Sequence, residues 1–142
     1  MDIIWGAILT TFSLIGWLGQ TITVLFPALA EKLELTEREA DVDSTFYADV
    51  RGEALWDMLI LWTLPVAGIL LLLDITLWAY FGLVGGGMYL YFAGRGIVVR
   101  LLMKRRNIRI GSQKTVSVVY VFLVLSGLVA VITIIMAAAA LS

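Results

Sequence analysis

The chain has 142 residues, 61% of them hydrophobic and 15% charged, with a net charge of −1 and a mean hydropathy of +0.99. A soluble domain is roughly 45–50% apolar and about 25% charged. The composition therefore excludes an ordinary water-soluble globule, a disordered chain and a nucleic-acid binder with a basic groove. Cys and His are both absent. Disulfides, thiolate nucleophiles, Cys- or His-based metal centres and Ser-His-Asp chemistry are thus unavailable, and no cofactor or metal site is implied.

Ile3 to Leu29 is an uncharged stretch of 27 residues. At about 1.5 Å per residue it can cross a ~30 Å hydrocarbon core with some tilt. No basic residue precedes it and the apolar run exceeds a signal-peptide core, so a membrane span is expected. Ala30 to Glu53 is polar and acidic. Thr36 and Glu39 match a capping box, which predicts a short surface helix from about Glu37. Gly52 is expected to break the pattern before the next span. Asp41, Asp43, Thr45, Tyr47 and Asp49 alternate as in a calcium loop. Phe46 stands where that loop needs Gly, however, and Glu53 comes one residue late. The segment therefore reads as solvated acid facing the basic loop of the same side.

Ala54 to Gly94 is a mostly apolar run of 41 residues, too long for one crossing. Two spans, about 54–73 and 75–94, are expected, with a turn near Asp74 and with Asp74 or Thr76 capping the second. Pro65 frees the carbonyl of Leu61 and predicts a kink. Arg95 to Lys114 holds seven cations and no acid. The third helix is expected to extend to about residue 103, with Arg95 and Arg100 snorkelling to the interface. Thr115 to Leu141 is a fourth uncharged stretch. The expected fold is an all-α membrane protein: one polytopic domain, 1–142, forming a four-helix transmembrane bundle with an acidic loop between helices 1 and 2.

All ten Lys and Arg lie in Ala30–Glu53 and Arg95–Lys114. With four spans these segments share one side. The positive-inside rule then predicts cytoplasmic loops and external termini in a plasma or inner membrane. Trp5 and Trp78 fit an outer aromatic belt and Trp56 an inner one; Trp17 and Trp62 lie deeper and read as packing residues. The aromatic residues of the third helix likewise read as core rather than as a quinone site.

Four constellations bear on function. Glu53 and Asp57, four apart, share a helix face, and Arg95 ends the neighbouring antiparallel span at similar depth. A Glu53/Asp57–Arg95/Arg100 cluster is expected, as an ion-paired lock, as an ion, proton or ligand site, or as plainly solvent-exposed charge. Small residues form faces that suit bundle packing or contacts between subunits. They are Gly6, Thr10, Ser13, Gly16, Gln20 and Thr23 in the first helix, Gly82 and Gly86 in the third, and Ser126, Ala130, Thr133 and Ala137 in the fourth. Gly85–Gly87 could instead be an unwound segment lining a cavity. Lys104, Arg105, Arg106 and Arg109 are expected to set topology and contact anionic lipid. The leading expectation is a non-catalytic, self-associating scaffold or accessory subunit, with other membrane subunits as partners and no nucleic acid. The alternative is an oligomeric channel or small-solute transporter with an acidic inner mouth. An enzyme using Glu53 and Asp57 ranks last, since no nucleophile accompanies them.

Overall fold

The computed structural model describes residues 2–142. Among them the chain is helical apart from turns and one isolated antiparallel bridge, Val42 to Ile110. The helices are α1 (Asp2–Leu25), α2 (Pro27–Lys32), α3 (Ser44–Ile60), α4 (Thr63–Leu72), α5 (Trp78–Arg105) and α6 (Gln113–Leu141), with a 3₁₀ turn at Glu39–Asp41. Four stretches are long and apolar enough to cross a membrane: Ile3–Leu25, Ser44–Leu72 (α3 and α4 together), Trp78–Arg105 and Gln113–Leu141.

Several boundaries differ from expectation, each for a local reason. Pro27 ends α1 and opens α2 at its first turn, where a missing N–H costs nothing. No helix begins at Glu37; Arg38 is extended and only the 3₁₀ turn follows. The second crossing starts ten residues before Ala54. Asp43 caps α3 by accepting from the Thr45 N–H at 2.9 Å, and Gly52 stays helical within it. Neither Asp74 nor Thr76 caps α5, whose N-cap is Leu77. Asp74 instead closes α4 in the left-handed conformation, with φ of 55°. The N–H of Ile75 reaches Leu70 O at 2.9 Å and that of Asp74 reaches Leu71 O at 3.2 Å, the bond pair of a Schellman cap. Glu34 ends α2 and Asn107 ends α5 with the same pattern. Gly85–Gly87 lies within regular α5 and is not unwound.

The second crossing breaks at Leu61–Trp62, just ahead of Pro65. A helix end leaves carbonyls without intrahelical donors, and a stretch this apolar is compatible with a membrane, where no water would satisfy them. Side chains do so here. Trp17 Nε1 donates to Met58 O at 2.9 Å, Trp62 Nε1 to Leu59 O at 2.9 Å, and Thr63 Oγ1 to Ile60 O at 3.1 Å. The two deep tryptophans are therefore hydrogen-bond donors as well as packing residues.

Helix α1 packs on α3 and α4, α4 on α5, and α5 on α6. Between α1 and α6, Phe122 bridges by stacking on Phe12, with 5.3 Å between ring centroids. Leu9, Leu61, Leu64, Tyr89, Phe92 and Leu123 form the main core. Small residues set the close approaches. A Cβ on Gly68 would lie 2.7 Å from Thr10 N, and one on Gly85 would lie 2.7 Å from Leu64 N. Ser13, Ser126, Ala130, Thr133 and Ala137 are fully buried within the chain. Gly6 meets Leu72, Gly16 meets Tyr89 and Phe122, Gly82 meets Ala137, and Gly86 meets Ile134. The small-residue faces thus pack this chain against itself.

Two glycines of one run give a direct test. Gly85→Ala drives a methyl against the Leu64 backbone and should destabilise by about 1–3 kcal/mol despite the better helix propensity of Ala. At Gly87 nothing lies within 4 Å of the added Cβ. Gly87→Ala should be neutral or stabilise by up to about 1 kcal/mol. Unfolding of the purified protein in detergent measures both.

Candidate functional site

The charged residues gather where α3, α5 and the two charged loops meet. Starting α3 at Ser44 places Asp49, Glu53 and Asp57 at successive i, i+4 positions on one helix face. Arg95, projecting from α5, meets the first two. Its Nη2 lies 2.6 Å from Asp49 Oδ1 and its Nη1 lies 3.0 Å from Glu53 Oε2. The side chain is 29% exposed. The expected Glu53–Arg95 pair is therefore present, with Asp49 as a second partner.

Arg100 and Asp57 depart from the expected cluster. Arg100 does not snorkel: it is buried, and its Nη2 pairs with Glu37 Oε1 at 3.2 Å. Its Nη1 donates to Gly96 O at 3.1 Å, and its guanidinium sits 5.4 Å from the Phe46 ring centroid. Asp57 pairs with neither arginine. It is 4% exposed, and its Oδ2 has no hydrogen-bond partner. Glu53 Oε1 and Arg100 Nε are likewise buried without partners.

The acidic and basic loops dock on each other, and more than charge holds them. Asp43 N–H donates to Arg109 O at 2.9 Å beside the Val42–Ile110 bridge. Val42, Phe46, Ile110 and Val116 form a second small core there. Glu37 is buried against Gly111, whose φ of 122° lets the chain turn over that side chain. Asp43 and Asp49, two members of the alternating acidic series, serve as helix cap and ion-pair partner. Arg51 leaves the opposite side of α3 and donates to Thr23 O. Pro27 has no N–H for that carbonyl, so the guanidinium takes the place of the missing donor. Lys104, Arg105, Arg106 and Arg109 are exposed and stand in none of the ion pairs among the described residues.

Two cavities flank this network. One, about 190 Å³, lies between α1 and α6 and is lined by Gln20, Thr36, Glu37, Glu53, Arg100 and Phe122 among others. Gln20, grouped in sequence with a packing face, lines this space. The second, about 220 Å³, lies between α3 and α5, with Glu53, Asp57, Trp56 and Arg95 in its wall. Glu53 and Phe92 border both.

Sequence reasoning missed Asp49 and Glu37. The Asp43-Ser44-Thr45 cap signal, had it been taken as the helix start, would have aligned Asp49 with Glu53. Glu37 has no local signal; only loop docking brings it to Arg100. The chain matches no protein-family model, no curated protein and no solved structure in the three comparisons.

The two kinds of ion pair should respond differently to truncation. Arg100→Ala leaves Glu37 buried and unpaired and should cost about 3–5 kcal/mol. Lys114 pairs with Glu34 at 3.4 Å with both side chains more than half exposed. Lys114→Ala should therefore change stability by less than about 0.5 kcal/mol. Equal effects in detergent unfolding would contradict the assigned burial.

Proposed function

We propose that the chain is a non-enzymatic integral membrane protein that binds and passes a small monovalent cation, with Asp57 as the central group. One observation carries the reading: a buried carboxylate with an unpartnered oxygen, in a cavity wall, one turn below a break in the second crossing. Broken helices near mid-membrane place charged termini and free backbone at solute sites. The break leaves the partially negative C-terminal end of α3 beside Asp57, and both favour positive charge. Ionisable groups within apolar spans face interior cavities and mark ion paths.

In proteoliposomes the wild type should dissipate a potassium or proton gradient. Asp57→Asn should slow that flux at least roughly tenfold, as expected for loss of a buried charge contact. A wild type that neither binds nor passes any monovalent cation would end this reading.

The scaffold reading has a different support. Lys104, Arg105, Arg106 and Arg109 present uncompensated positive charge beside the docked loops, a surface suited to anionic lipid or an acidic partner subunit. Self-association no longer draws on the small-residue faces, since these are occupied within the chain. Both readings share the orientation argued from charge, with loops cytoplasmic and termini outside. The chain lacks Cys, so single cysteines introduced at Ser142 and at Arg109 can be labelled in intact cells. Ser142→Cys should react with an impermeant maleimide and Arg109→Cys should not; the reverse result inverts the topology.

A further inference from the structure

We infer that the cavity between α3 and α5 recognises an alkylated ammonium cation. This rests on the reading of Asp57 as a cation site and narrows it to a ligand class.

The wall has two chemically distinct parts. Asp57 and Glu53 supply carboxylates, each with a buried oxygen lacking a partner. Trp56, Tyr91 and Phe92 supply aromatic rings. Arg95 also borders the space, but Asp49 and Glu53 both hold it. Two carboxylates thus already hold that guanidinium, and Asp57 is left without an ion-pair partner among the described residues.

That donor set suits an organic cation better than a bare metal ion. Hard divalent ions need six or more oxygen ligands, or an octahedral shell. No group of three or more acidic side chains among the described residues could hold a metal. An alkylated ammonium needs only a nearby negative charge and aromatic faces for its methyl groups, which the ring quadrupole attracts. The cavity, about 220 Å³, accepts such a group. Trp56 and Tyr91 are 59% and 65% exposed, so the aromatic part forms the open side.

Alkylated ammonium groups occur both as free solutes and as lipid headgroups. The shared group is the alkylated ammonium, and the lipid arm of the test separates the two sources.

The test uses the full chain in nanodiscs of phosphatidylglycerol, with choline as probe and dimethylbutanol as its uncharged tert-butyl isostere. Equilibrium binding should show saturable choline uptake and at least tenfold weaker uptake of the isostere. Asp57→Asn should abolish choline binding. Trp56→Ala and Tyr91→Ala should each weaken it by several-fold to roughly tenfold, and Trp56→Phe by less. The exposed aromatic variants decide the matter if Asp57→Asn does not fold. Absent choline binding, equal binding of the isostere, or wild-type affinity in both aromatic variants overturns the ligand class. If Asp57-dependent potassium or proton flux persists in that case, the cation-site reading stands without it; if flux is absent too, both fall. Free-choline affinity unchanged in phosphatidylcholine nanodiscs supports the solute. A marked loss there assigns the same cavity to the headgroup as the source of the ammonium.

Discussion

The backbone hydrogen-bond requirement organises this molecule. In a hydrocarbon layer an orphaned carbonyl has no water to turn to, so every interruption of a helix must be answered by the protein itself. The first apolar stretch ends just before Pro27, and the second is interrupted at Leu61–Trp62. At each, side chains from another segment or from the next turn supply donors: Arg51 for Thr23 O, then Trp17, Trp62 and Thr63 for the last turn of α3. These bonds also tie segments together. Arg51 fastens α3 to the end of α1, and Trp17 fastens α1 to the broken point of the second crossing. Local satisfaction of the backbone and the tertiary arrangement are therefore one set of contacts.

Close packing decides where space remains. Gly68 lets α4 approach α1 and Gly85 lets α5 approach α4 until a single methyl would collide with backbone. This tight contact involves α4, beyond the break. Below the break α3 stays against α1 but separates from α5, and charged residues and the second cavity occupy that gap. The Leu61–Trp62 interruption is thus the boundary between a half held by small residues and a half held by ion pairs.

The four apolar stretches and the helical class were legible in the sequence because length and hydropathy alone determine them. The extension of α5 past Arg95 was legible for the same reason. Boundaries were less so. The acidic character of residues 44–53 hides a helix that Asp43 caps and Phe46 anchors in a small core. The Glu53–Arg95 pair followed from antiparallel geometry. Arg100–Glu37 could not, because Glu37 is carried to α5 by loop docking across 63 positions of sequence. The small-residue stripes announced close contact without naming the partner; the structure supplies it from within the chain.

The distribution of charge partners bears on what the inner network is for. A structural lock is complete when each buried ion has its counter-ion, because unpaired buried charge destabilises by more than the pairing contributes. Arg100 with Glu37 meets that standard, and Arg95 with Asp49 and Glu53 exceeds it. Asp57 meets none of it. An apolar residue there would bury as well and would carry no desolvation cost. A carboxylate held one turn from a helix break, in a cavity wall, with one oxygen unsatisfied, adds nothing to the lock that its neighbours have not already supplied. Under the proposed cation reading, the partner of that oxygen arrives from outside the chain.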